Sequence, residues 1–199
     1  MKSFGDLVRG MLPKREEDSL YPLVSERLTL RPPVEDDFDK LYDLYRRDEV
    51  NRYLRWQSWN EIETLQHIRD RKRPTAIDAA DGRIDLIVHR REDEQFVGDV
   101  CLFWGSQIGE VGWAFHPEQR GNGYATEAAA MMVQLGFTAV GLQRIQARCD
   151  SRNVASSRVM ERLGMVREGC LRRSVLVKGE FCDELFYSML REEWVREQV

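Results

Sequence analysis

Gln119-Arg120-Gly121-Asn122-Gly123-Tyr124-Ala125-Thr126 is the stretch on which the reading of this chain turns. Residues 109–117 before it (GEVGWAFHP) read as a strand that ends at a proline. After it, Ala125, Ala128, Ala129, Met132, Val133 and Gly136 recur at helical spacing over residues 124–140, and Gly141 offers a stop. A turn feeding a helix presents unpaired backbone N–H groups at the positive end of the helix dipole, and both attract anions. Gly121 and Gly123 let the backbone approach a ligand and adopt positive φ, while Arg120 carries a fixed charge suited to phosphate oxygens. The chemistry implied is pyrophosphate binding; the plain alternative is an ordinary helix-entry turn. Two other phosphate loops fit poorly. A Walker loop needs Gly-Lys-Ser/Thr where Gly123-Tyr124-Ala125 stands, and a dinucleotide fingerprint needs a third glycine where Thr126 stands.

Outward from this turn the chain alternates strand and helix patterns. RLTLR at residues 27–31 reads as a strand stopped by Pro32-Pro33. Phe38, Leu41, Tyr42 and Tyr45 then mark an amphipathic helix. A second helix spans residues 60–73 before Pro74, and Arg69, Arg71, Lys72 and Arg73 read as its solvated end. Strands at 84–91 and 95–104 form a hairpin around Glu92-Asp93-Glu94. Beyond the central helix come a strand at 144–149, a helix at 153–163, and strands at 165–177 and 181–190 turning at Gly179. No repeat or linker interrupts this, so residues 23–199 read as one α/β (α+β) domain. Residues 1–22 read as a leader, a short helix or flexible, with Phe4, Leu7, Val8, Met11 and Leu12 at helical spacing.

Composition narrows the function classes. With 30 basic and 34 acidic residues the net charge is −4, which argues against wholesale nucleic-acid binding. No apolar run approaches the roughly 18 residues of a membrane span, and Asp6 interrupts the apolar start that a signal peptide needs. Cys101, Cys149, Cys170 and Cys182 are widely spaced and each fits a strand, as reduced cysteines of a cytoplasmic protein do. His67, His89 and His116 have no metal-ligand spacing, so no metal is expected.

Four segments in order carry a family resemblance. QRGNGYATEA resembles the acetyl-CoA pyrophosphate signature (Q/R-x-x-G-x-G/A) of the GNAT superfamily of N-acetyltransferases. GEVGWAFHP is similar to the fourth strand that feeds this loop, and NVASSRVMERLGM to the helix that follows. LTLRPPVEDDF at residues 28–38 and GEFCDELFYSMLREEW at 179–194 resemble the RimJ/RimL-like branch, named for ribosomal-protein N-terminal acetyltransferases. The resemblance implies a mixed, mostly antiparallel twisted sheet of about seven strands flanked by about four helices, splayed between its fourth and fifth strands. It implies acetyl-CoA as co-substrate and direct attack by an amine in a ternary complex. Acetyl-CoA contacts are expected from Ala114 and Phe115, from Arg120, Gly121, Asn122, Gly123, Tyr124, Ala125 and Thr126, and from Asn153 and Ser156. The partners are acetyl-CoA and a primary amine (a protein N-terminus, an amino acid or polyamine, or an amine antibiotic), with no nucleic acid or membrane, and the protein a monomer or homodimer.

Glu110 is the expected base. Its strand holds almost no other charge, and period-2 alternation sets it beside Gly112 and Ala114, where desolvation raises a carboxyl pKa. Pairing with an arginine is the structural alternative, and Asp99 on the neighbouring strand is the reserve. For the general acid, many family members carry a tyrosine seven residues after the helix asparagine, but Met160 stands there. Ser156 takes the role the RimJ/RimL-like branch gives to a serine; its alternative is a surface hydroxyl, and that of Asn153 an N-cap. A thiolate leaving unaided is a third option. Glu127 and His116 read as structural, and Tyr53, Trp56 and Trp59 as an acceptor-side wall, core or dimer contact. The rival function is an acyl-CoA-binding sensor without turnover. Charge is also segregated, with 8 acids to 3 bases over residues 76–117 and 8 bases to 3 acids over 144–173. The first block would face a cationic amine. In the second, Arg148, Arg152 and Arg158 would meet the phosphates.

Overall fold

The computed structural model describes residues 20–197, and the leader pattern at residues 4–12 lies outside them. Eight strands form one sheet: β1 (Leu23–Val24), β2 (Leu28–Arg31), β3 (Asp81–Arg90), β4 (Phe96–Gly105), β5 (Ile108–Phe115), β6 (Arg144–Asp150), β7 (Val166–Val177) and β8 (Glu180–Leu190). Their order is β1-β2-β3-β4-β5-β6-β8-β7, antiparallel throughout except between β5 and β6. The helices are α1 (Phe38–Tyr45), α2 (Asp48–Asn51), α3 (Glu61–Arg71), α4 (Tyr124–Leu135), α5 (Val154–Arg162) and α6 (Arg191–Glu197). The additions to the expected set are β1, α2 and α6. A two-residue strand and a one-turn helix are too short to show periodicity, and REEWVRE in α6 has no apolar stripe.

Strand β3 shows how the layers form. From Ile84 to His89 every residue is buried, because helices cover both faces of the sheet here. Ile84, Leu86 and Val88 join the main core with α4, while Ile87 faces Leu41, Leu44, Tyr45, Trp59 and Ile68 on the α1–α3 side. Ala128, Ala129, Met132, Val133 and Leu135 of α4 are fully buried, the small residues letting the helix lie close to the sheet. After Leu135 the helix widens into one π-helical turn, Gly136–Val140, and ends at Gly141 in the left-handed region, φ +82°. Gly136 presses on β6, where a Cβ would stand 2.7 Å from Ile145 Cδ1.

The parallel pairing of β5 with β6 is brief. Ile108, Gly109 and Glu110 pair with Arg144, Ile145 and Gln146, and the ladder stops there. From Val111 onward β5 has a hydrogen-bonded neighbour on the β4 side only. This is the expected splay, between the fifth and sixth strands once β1 is counted. Each of the four cysteines lies in a strand, and all are free thiols. No helix among the described residues is long and apolar enough to cross a membrane.

Candidate active site

A cleft of about 1190 Å³ opens along the splay, from the glycine turn and α5 at one end to the α1–α2 side at the other. At the first end Gly121 and Gly123 have φ of +84° and +80°, and Gly123 caps α4 without a side chain. The first bond of the helix runs from the Glu127 N–H to the Gly123 carbonyl at 3.1 Å, so Tyr124, Ala125 and Thr126 have no helical acceptor for theirs. The Thr126 hydroxyl is buried without any hydrogen-bond partner, a state costing about 1–3 kcal/mol. An orphaned polar atom on the cleft wall, beside N–H groups without a helical acceptor, fits a site that an anionic ligand would complete. All residues of the turn line the cleft except Asn122. That residue is exposed, and its carbonyl accepts from Arg27 Nη1 at 2.9 Å.

Arg27 and Glu127 hold this turn in place. Glu127 is 2% exposed and accepts from Ser25 Oγ at 2.7 Å, the Arg27 N–H at 3.0 Å and Arg27 Nε at 2.7 Å. The Arg27 guanidinium also lies 4.9 Å over the Tyr124 ring. Glu127 has the structural place expected of it, whereas RLTLR presents Arg27 only as a strand-edge arginine, since its partner lies 100 residues along the chain.

The α5 side supplies Asn153, Ser156, Arg158 and Arg162 to the cleft wall. The Asn153 side chain accepts from the Ser156 N–H at 3.1 Å, which realises its N-cap alternative while leaving it on the wall. Of the three arginines expected at the phosphates, only Arg158 is without a carboxylate partner among the described residues. Arg148 turns to the cleft floor to meet Glu110, and Arg152 is tied to Asp150 at 2.7 Å and Glu180 at 2.9 Å. Arg162, one turn beyond Arg158, joins it instead; neither has a carboxylate partner within 4 Å among the described residues. Met160 is fully buried and belongs to the core.

The floor at the other end is one face of the sheet. Glu110 accepts from Arg148 Nε at 2.9 Å, Arg148 Nη2 at 3.0 Å and Gln146 Nε2 at 3.0 Å. The charge-free setting expected for Glu110 therefore holds along its own strand only, since β6 brings it a guanidinium. Asp99 stands opposite Ala114 in the β4–β5 ladder and accepts from the Tyr45 hydroxyl at 2.8 Å on each oxygen. Burial pushes the Asp99 carboxyl up to about 6 against the opposing pull of Tyr45 and Arg71, and pushes the Cys101 thiol up to about 12. Arg83 clamps Asp85 at 2.6 and 2.7 Å. Arg71, expected as solvated, turns inward to Asp85 at 3.5 Å and lies over the Trp59 ring. Tyr53 and Trp56 line the cleft, whereas Trp59 is core, stacked between Tyr45 and His67. His116 meets Asp43 at 3.2 Å and caps the turn after β5.

Residues 27–166 match the family model for the acetyltransferase (GNAT) domain. An uncharacterized N-acetyltransferase, YnaD, of Bacillus subtilis (strain 168) is 29% identical over 86% of this chain and 98% of its own length. A GNAT-family acetyltransferase from Bacillus anthracis superposes with a TM-score of 0.75 at 29% identity, covering 84% of this chain and 97% of that one. A spermidine N-acetyltransferase from Vibrio cholerae, solved with CoA and spermine, superposes with a TM-score of 0.68 at 22% identity, covering 84% and 98%.

Proposed function

The chain belongs to the GNAT acetyltransferase family and is an N-acetyltransferase, and from that premise we propose that it moves the acetyl group of acetyl-CoA to the primary amine of a small acceptor that itself carries an anionic group. The orphaned Thr126 hydroxyl beside the free N–H groups of residues 124–126 carries the acetyl-CoA half of this reading. Bound there, acetyl-CoA supplies an acetyl group activated as a thioester. The N–H groups of Tyr124, Ala125 and Thr126 hold its pyrophosphate, and Arg120, Arg158 and Arg162 neutralise phosphate charge. The edge of β5 left without a strand partner beside Ala114 and Phe115 binds the extended arm and polarises the thioester carbonyl. Asn153 steers the arm past α5, and the Ser156 hydroxyl hydrogen-bonds the departing sulfur.

The acceptor half rests on the balance of charge across the floor. Arg55, Arg71, Arg83 and Arg148 stand among Asp85, Asp99, Glu110 and Glu184, with Arg55 paired to Glu184. A polycation such as spermine is best held by a surplus of carboxylates, whereas alternating charges suit an amine with its own carboxylate. A free amino acid meets that description, as does a peptide N-terminus bearing an acidic side chain, and the second agrees with the RimJ/RimL-like segments at residues 28–38 and 179–194. Glu110 sits in this acceptor subsite, where it holds the Arg148 guanidinium towards the acceptor's anionic group.

Thiol release from acetyl-CoA against amino acids, short peptides, spermidine, spermine and aminoglycosides tests both halves. The expected result is turnover on amino acids or peptides well above that on polyamines. Preferential turnover of spermidine would reverse the acceptor assignment. Heat stabilisation by CoA with no turnover on any amine would favour the sensor.

A further inference from the structure

Four carboxylates meet on the sheet floor of the cleft, and their partners differ. Asp85 is clamped by Arg83, Glu110 by Arg148 and Gln146, and Glu184 by Arg55. Protonating any of these would strip a guanidinium of its counter-charge. Asp99 is different: its hydrogen bonds among the described residues come from the Tyr45 hydroxyl alone. It keeps part of its surface on the cleft. Across the ladder it faces Ala114, with Cys101 facing Gly112 two pairs along on the same face, so the β5 surface beside it carries no bulky side chain. A Cβ on Gly112 would sit 3.0 Å from Cys101 Sγ. Side chains of directly opposed antiparallel residues are neighbours, about 5 Å apart at Cβ. Asp99 is therefore adjacent to the stretch of β5 assigned to the thioester.

We propose that Asp99 is the catalytic base that takes the acceptor's proton, with Tyr45 as the residue that positions it. This rests on the acetyltransfer reading above. The acceptor enters as an ammonium ion and transfers one proton to an Asp99 oxygen, which frees the nitrogen lone pair. That pair forms the C–N bond to the acetyl carbon as the C–S bond breaks and its electrons leave on sulfur. The second proton lost by nitrogen neutralises the thiolate, giving amide and CoA thiol, and Asp99 releases its proton to solvent through the cleft. The charged and titratable groups packed around Asp99 are Tyr45 from α1, Arg71 from α3, Arg83 and Asp85 from β3, and Cys101 from β4; β5 offers Gly112 and Ala114. Burial among them raises the Asp99 carboxyl to about 6, still ionised at neutral pH but a better proton acceptor than an exposed aspartate.

The test is the pH profile of thiol release for wild type, Asp99→Asn, Tyr45→Phe and Glu110→Gln, using the best acceptor of the amine panel. Asp99→Asn keeps an oxygen to accept from Tyr45 and is expected to lose about 100-fold or more in kcat, with KM for acetyl-CoA unchanged and the acid limb near pH 6 gone. Tyr45→Phe removes a hydrogen bond that favours the carboxylate, so its acid limb is expected to move to higher pH. Glu110→Gln is expected to leave that limb where it is. A folded Asp99→Asn enzyme within about threefold of wild type, with its acid limb intact, overturns the proposal. So does a limb that Tyr45→Phe does not move, which decides the matter if Asp99→Asn fails to fold. Wild-type protein that releases no thiol with any amine overturns the acetyltransfer reading, and Asp99's role with it.

Discussion

Glu110 and Asp99 lie on adjacent strands of one sheet face, and partners 38 and 54 residues away set their chemistry. Along the sequence Glu110 is the isolated carboxylate, because GEVGWAF contains no other charge. In the fold it is the paired one, and Asp99, read as a reserve, is the carboxylate whose partner is neutral. A residue's pKa depends on what lies within a few ångströms, and in a sheet that is the next strand rather than the next residue. The raised Asp99 carboxyl also has a consequence for stability. Its folded value of about 6 exceeds the roughly 3.9 of an unfolded aspartate, so the folded state binds the proton more readily. The contribution of Asp99 to stability should therefore rise as pH falls through 6 towards 4, and above 6 its buried charge should cost on the order of 2–3 kcal/mol. Urea unfolding at pH 8 and pH 5 checks this. Asp99→Asn is expected to be more stable than wild type at pH 8, with the gap shrinking at pH 5; a gap that widens on acidification would refute it.

At the scale of elements, α4 and α5 were legible because each shows one apolar stripe and a recognisable start. Their surroundings were not. Whether an arginine near α5 points to a phosphate or folds onto an aspartate is invisible in RCDSRN, where Arg152 is captured by Asp150 two residues before it. Arg158 and Arg162, four residues apart and so on one face of the helix, were left uncaptured. Changing both to alanine should weaken CoA binding about tenfold at low salt while leaving unfolding by urea near wild type. Titration calorimetry at two ionic strengths reads the effect, and unchanged affinity would remove both arginines from the phosphate site. Arg27 was missed for the same reason: its partner Glu127 lies 100 residues along the chain.

At the scale of the molecule, three residue pairs join the β1–β5 part of the sheet to β6–β8, and one continuous core beneath them includes Ile84, Met132, Ile145 and Tyr187. A ligand lying in the splay links both parts and is not bound by the unfolded chain. CoA at 100 times its Kd is expected to stabilise the protein by about 2.7 kcal/mol. Hydrogen exchange should slow at residues 111–115 and 124–126, while β7 at the far sheet edge changes little. A melting temperature indifferent to millimolar CoA would contradict the cleft assignment. The opposed charge blocks also change meaning at this scale. Residues 76–117 carry a surplus of acids, but Asp85 is paired on the floor and Asp93 is bound by Arg90 outside the cleft. The surplus therefore does not become a negative acceptor site.

By itself the sequence determined the layered α/β fold, the strand–turn–helix with its glycine turn, and the family. These depend on periodicity, glycine placement and local motif order, which are properties of contiguous residues. Only the tertiary structure decided which carboxylates of the cleft floor are paired with arginine and which is held by a tyrosine, and which arginines are captured by carboxylates. Each of those depends on pairing between strands distant in sequence, in a site where burial makes a single neighbour decisive.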